Sequence, residues 1–164
     1  MKVVCDSTTL IGLAKIGKLE VLEKLYGGIY IPEAVFAEVV RGGKGRPGAK
    51  EVEDAKWIRK KGVKDNRTAD MLAAEMGRGE AEVLILGKEL NADWLIVDDE
   101  RARNSATLAG FHIIGLAGIL LLAKQLELVS SLNPLLDELE SKNFRLGIKI
   151  REEILKRANE ILKK

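Results

Sequence analysis

The stretch WLIVDDERAR, residues 94–103, runs four apolar residues straight into two adjacent carboxylates, Asp98 and Asp99. A run that short and that continuously apolar reads as a strand buried on both faces, the kind that belongs to a parallel sheet covered by helices. VVCDSTTLIGLA, starting at Val3, repeats the pattern: three apolar residues lead into Asp6. In open α/β sheets ligands bind outside the carboxyl ends of the strands. Two buried strands that both end on acids therefore point to one shared site at that edge.

Working outward, short apolar runs alternate with helical patterns. Strands are expected at Lys2 to Cys5, Ile29 to Ile31, Trp94 to Val97 and Phe111 to Ile114, with a short extended piece around Val63. Helices are expected from Thr8 to Lys15, Lys18 to Leu25, after Pro32 to Val40, Ala49 to Lys61, after Gly79 to Leu90, after Asp99 to Ala109, and from Leu116 to Leu126. Pro32 suits a first helical turn, where its missing N–H costs nothing. RGGKGRPG, from Arg41, reads as a loop by its Gly and Pro content. Two more helical stretches, Asn133 to Glu140 and Gly147 to Lys164, form a tail. The alternation predicts an α/β fold, a central parallel sheet between helical layers, with a C-terminal helical extension. The expected organisation is a domain over residues 1–129 and an extension over 130–164 packing on it.

Composition agrees with this and excludes other classes. The chain has 164 residues, 46% hydrophobic and 32% charged, with a net charge of +2, so it is neither disordered nor a polycation. The single cysteine, Cys5, has no internal partner, which fits a reducing cytoplasm. Asp6 interrupts the first apolar run, so no signal peptide is read there. IIGLAGILLLA, residues 113–123, is too short to span a bilayer. Abundant Lys, Arg and Glu with one Gln lean towards a thermophilic source.

Asp is a favoured N-cap, and capping alone accounts for Asp6. Asp98 and Asp99 cannot both cap one helix in the same way, so one of them requires another role. Glu38 lies in AVFAEVV, a helix apolar all round, which leaves it no polar face. A carboxylate taken out of water needs a counter-ion or a metal. Glu80 opens EAEVLILGKEL behind Gly77-Arg78-Gly79; the alternative for it is first-turn complementarity to the helix dipole, with Glu82 competing for that place. Carboxylates gathered at one edge repel one another unless a divalent cation sits among them. All-oxygen ligands suit Mg²⁺ or Mn²⁺ rather than zinc. His112, inside an apolar strand, reads as a core residue, and Cys5 as a small buried hydrophobe. Such a metal activates water and stabilises in-line attack on phosphorus, which points to phosphodiester hydrolysis.

The order of these pieces resembles the PIN domain: DSTTLIGLAKIGKLEVL, IPEAVFAEV, GRGEAEVLILGKEL, LIVDDERARNSA and GLAGILLLAK, together covering residues 2 to about 128. The resemblance implies a three-layer αβα fold and a metal-dependent ribonuclease, of the branch similar to the prokaryotic, archaeal-type VapC toxins of VapBC toxin–antitoxin pairs. It implies that Asp6, Glu38, Glu80 and Asp99 are catalytic and bind Mg²⁺ or Mn²⁺, with Asp98 adding a ligand or supporting the others. Ser7 or Thr8 falls where PIN domains often carry a hydroxyl beside the first acid. The expected partners are RNA, a cognate antitoxin and a second copy of the chain, with no membrane.

RNA needs a positive approach to so negative a site. Residues 41–67 carry ten basic residues against four acidic, a local +6, with Arg41, Lys44 and Arg46 in the loop nearest Glu38. Arg101 and Arg103 follow the paired acids by one turn. From Lys142 onward eight Lys or Arg face three Glu. GGKGRPGAK lacks the Gly-Lys-Ser/Thr end of a P-loop. A phosphatase of the haloacid-dehalogenase type needs a second Asp two residues after Asp6, where this chain has Thr8. A receiver domain carries its acidic pair early, and here the pair is late. The competing reading from a different class is an inactive PIN-fold module that binds RNA or a protein without cutting.

Overall fold

Five parallel strands fix the position of everything else. They are β1 (Val3–Cys5), β2 (Ile29–Pro32), β3 (Ile58–Lys61), β4 (Trp94–Ile96) and β5 (Ile113–Ile114), in the order β3-β2-β1-β4-β5. The computed structural model describes residues 1–160. Ten helices connect and cover the strands: α1 (Ser7–Lys15), α2 (Val21–Tyr26), α3 (Glu33–Phe36), α4 (Ala49–Asp54), α5 (Asn66–Met76), α6 (Arg78–Leu90), α7 (Glu100–Leu108), α8 (Leu116–Gln125), α9 (Asn133–Ser141) and α10 (Ile148–Arg157). A π turn, Ala37–Arg41, continues α3. The result is a three-layer α/β architecture, as the resemblance implies.

Every strand pair is parallel, with Val4 opposite both Tyr30 and Leu95, and Ile96 opposite Ile114. All carboxyl ends therefore lie along one edge. The chain builds outward from β1 to β2 and β3, then returns to the other side of β1 for β4 and β5. The reversal places the switch point, where such sheets open a crevice, between the ends of β1 and β4. These two central strands are almost wholly out of water: Val3, Val4, Cys5, Leu95 and Ile96 are fully buried, and Trp94 is partly exposed.

The edge strand β3 differs from expectation. The helix predicted to Lys61 stops at Asp54, and Ile58–Lys61 pairs with β2. Only Ile58 in it is buried, while Arg59, Lys60 and Lys61 are exposed; an edge strand with charged side chains resists pairing with another molecule. Helix α5 had no counterpart in the pattern. His112 is exposed rather than buried, because β5 is an outer strand of two residues, and its ring lies 5.3 Å from that of Trp94.

The extension shares the main core, with Leu132, Leu136, Leu139, Ile154 and Leu155 all buried in it. Lys15 and Lys142 each donate to the other's backbone carbonyl, tying the end of α1 to the end of α9. Glu160 closes the tail. Its carboxylate accepts from Lys124 Nζ at 2.7 Å, Ser131 Oγ at 2.6 Å, and the backbone N–H groups of Leu132 and Asn133 at 2.7 and 2.9 Å. Burial alone would raise its pKa, but Lys124, Ser131 and the two N–H groups hold it down at about 2. Of the last predicted helix, residues 161–164 lie outside the described residues.

Candidate active site

Asp6 sits at the switch point, 2% exposed. Its Oδ1 accepts the Thr9 N–H at 3.0 Å, which caps α1, and its Oδ2 accepts the Asp98 N–H at 2.8 Å. One carboxylate thus caps a helix and bridges the two central strands. Burial first, and then the Asp98 charge, push its pKa up to about 7.

The paired acids resolve by capping two different helices. Asp99 is the N-cap of α7, accepting the Ala102 N–H at 3.0 Å. Asp98 reaches across to α8, where it accepts the Leu116 N–H at 3.0 Å, and it also accepts from Thr9 Oγ1 at 2.8 Å. Gly115 makes this reach possible. A Cβ there would stand 2.6 Å from Asp98 Oδ1 and 2.8 Å from Arg103 Nη1, closer than real Cβ contacts come.

Glu38 corrects an expectation. It is exposed, because the π turn re-aims the helix at this point and turns Val39 and Val40 inward instead. Insertions of this kind concentrate at functional sites. Ser7 Oγ donates to Glu38 Oε2 at 2.9 Å, and Gly79 leaves room for that oxygen, 3.3 Å from where its Cβ would be. Thr8 makes no side-chain hydrogen bond among the described residues; the hydroxyls in use are those of Ser7 and Thr9. Glu80 is half-buried in the first turn of α6. Burial first, then the Glu38 and Asp99 charges, raise its pKa above the usual carboxylate range.

The buried acid of α6 is Glu82, 6% exposed. Its Oε1 accepts the Ala34 N–H at 3.0 Å at the start of α3, and its Oε2 is ion-paired with Arg78 Nε at 2.6 Å. Arg78 also holds Asp70 and Asn66. This bridge ties α3, which leads to Glu38, to α6, which carries Glu80. Helical periodicity placed both acids on apolar helices and offered nothing to tell them apart. Gly115 and Thr9 carry no sequence signal of their own, and for Glu82 the sequence offers only competition with Glu80 for the first turn of the helix.

The five acids Asp6, Glu38, Glu80, Asp98 and Asp99 form no ion pair with any Lys or Arg among the described residues. Their oxygens and their unneutralised charge fit a hard divalent cation in kind. They stand in two groups, Asp6 with Asp98, and Glu80 with Glu38 and Asp99. Among the described residues no three His, Cys, Asp or Glu side chains close on one point as they stand.

The basic residues divide. Arg41 lies over the Phe36 ring at 5.5 Å, drawn there by the π turn, and Lys60 lies over the same ring at 4.5 Å. Lys44 and Arg46 are exposed in the loop after Arg41. Arg101 donates to the Glu75 carbonyl at 2.6 Å, on the α5 side. Arg103 donates to the Val97 carbonyl at 2.9 Å, beside Asp98. In the basic tail Lys142 pairs with Glu138, Arg151 with Asp137 and Glu140, and Arg157 with Glu153, while Arg145, Lys149 and Lys156 form no ion pair among the described residues.

A search of curated proteins gives no match to this chain. The family model DUF3368, described as a PIN domain, matches residues 2–160, so it takes in the helical extension as well as the sheet. The match spans nearly the whole sequence, and the chain belongs to the PIN-domain family.

Proposed function

We propose that the protein is a metal-dependent endoribonuclease that hydrolyses RNA phosphodiester bonds, the toxin of a VapBC-type pair. PIN domains are generally nucleases, so a nuclease-type role follows from the family. The observation that carries the finer reading is the set of five acids at the carboxyl edge of the sheet with no basic counter-ion among the described residues. The proposed catalytic acids are Asp6, Glu38, Glu80 and Asp99, with Asp98 as a further ligand. Bound Mg²⁺ or Mn²⁺ supplies a water of lowered pKa and positive charge for in-line attack.

The chain's own residues do the rest. Two backbone N–H groups hold the Asp6 carboxylate rigidly at the crevice. Ser7 aims Glu38. Burial and the neighbouring Glu38 and Asp99 charges raise the pKa of Glu80, and a bound cation would offset that charge. Arg103 sets a positive charge beside Asp98 for a phosphate oxygen. The toxin reading brings with it a cognate antitoxin, a homodimer and a cytoplasmic location. No helix among the described residues is long and apolar enough to cross a membrane.

One observation favours a second reading, a PIN-fold module that binds RNA or a partner without cutting: three of the five acids already serve as caps, and no three close on one point. Mn²⁺ titration with thermal melting, run on wild type and Asp6→Asn, separates the two. Ligand-linked stabilisation of the wild type alone, together with metal-dependent cleavage of RNA, supports the nuclease. No stabilisation of either protein and no cleavage supports the binding module.

A further inference from the structure

Beside Asp98 opens a cleft of about 730 Å³ that the acids do not fill. Its size falls within the ~300–1,000 Å³ usual for small-ligand sites. Asp98, Arg103 and Asn104 supply polar lining, and Ile114 of β5 with Leu146 and Ile150 of the C-terminal extension supplies apolar lining. The cleft is therefore polar in part and apolar in part. A nucleotide has the same two characters, in its phosphate and ribose and in its base.

Arg103 gives the polar lining its chemistry. It is half-buried, forms no ion pair among the described residues, and commits only Nη1, to the Val97 carbonyl. Its other N–H groups have no acceptor among those residues, and none of them is buried. Asp98 and Arg103 flank the missing side chain of Gly115, side by side but not paired. A cation site and a guanidinium opening on one cleft can grip two oxygens of one phosphate. Glu100 lines the same cleft and suits a ribose hydroxyl, since it accepts hydrogen bonds and repels phosphate.

Resting on the nuclease reading, we propose that this cleft seats the nucleotide next to the phosphate to be cut, with Arg103 on a phosphate oxygen and Leu146 and Ile150 against the base. The C-terminal extension is then a wall of the substrate site. Ile150 is 53% exposed and Ile148, on the same helix but outside the cleft, is 77% exposed. Such exposure for large apolar side chains makes both replaceable without loss of the fold.

The test is binding of a fluorescein-labelled single-stranded RNA hexamer by anisotropy in EDTA, with cleavage in Mn²⁺ measured separately. Arg103→Gln and Ile150→Glu are each expected to raise Kd about tenfold, the size of one charge-assisted hydrogen bond or of one apolar side chain packed against a base. Ile148→Glu should bind as wild type does. Equal Kd for all four proteins, or no binding by the wild type, overturns the subsite. If the hexamer binds and the variants weaken it, yet nothing is cut, the subsite stands and the nuclease reading falls. If RNA is cut but the variants bind like wild type, the nuclease reading stands and the cleft serves another partner, such as an antitoxin peptide.

Discussion

Replacing Asp6 by Asn should make the metal-free protein more stable at alkaline pH while abolishing its activity. In the folded chain the Asp6 carboxyl titrates at about 7, against an ordinary value of 3.8, because it is buried and faces Asp98. A group whose acid form is favoured by folding works against stability once it ionises. The cost is absent below the unfolded value's neighbourhood, grows as pH rises from about 4, and is complete above about pH 7. Three pKa units at about 1.4 kcal/mol each give roughly 4 kcal/mol at pH 8. Asn removes the charge but offers one acceptor oxygen to two N–H groups, so about 1–2 kcal/mol is lost with one of them. The net gain is about 2 kcal/mol at pH 8, or about 4–8 °C in Tm for a chain of this size. Near pH 5 the two proteins should melt together. The assay is differential scanning fluorimetry in EDTA from pH 5 to 8. An Asn variant that melts at or below wild type at pH 8 refutes the argument. With saturating Mn²⁺ the wild-type slope should flatten, because a cation replaces the proton on Asp6.

Three further changes test the frame around the site. Gly115→Ala should cost about 1–3 kcal/mol by overpacking and at least tenfold in kcat by moving Asp98 and Arg103, read by melting and by RNA cleavage; unchanged values for both would show that Asp98 does not need this close approach. Glu82→Gln breaks the ion pair to Arg78 and should lower stability by about 1–3 kcal/mol in urea unfolding, with reduced activity because Glu38 and Glu80 lose their common brace. Glu160→Gln should cost about 2–3 kcal/mol. Because the Glu160 pKa is lowered on folding, its contribution is present above about pH 4.5 and fades as pH falls towards 2, so wild type and variant should converge in acid melts.

The central strands and the acids that follow them were legible because a strand buried on both faces has to be written in apolar residues, and β1 and β4 are. The edge strand β3 was not legible for the opposite reason. Its sequence is IRKK, one residue of it is buried, and the pairing to β2 comes from tertiary position rather than pattern. Helix α5 had a signal that went unread: Asp65 accepts from both the backbone N–H and the hydroxyl of Thr68, an N-cap written as Asp-x-x-Thr before the helix. Glu38 and Glu82 could not be sorted because each interrupts an apolar helix, and the π turn that exposes Glu38 depends on how Val39 and Val40 meet the core. The two jobs of Asp98 and Asp99 were hidden because the helix that Asp98 caps begins 18 residues further on.

The bond from the Asp98 N–H to Asp6 joins residues 92 positions apart. β1 is made first, yet its partner across the crevice is made only after three strands and six helices have been laid down. Contacts so distant in sequence close late in folding. A growing chain therefore holds its first acid long before it holds a site, and a chain cut short before Trp94 has no crevice. Whatever this edge of the sheet does, it cannot do while the first half of the protein is still being made.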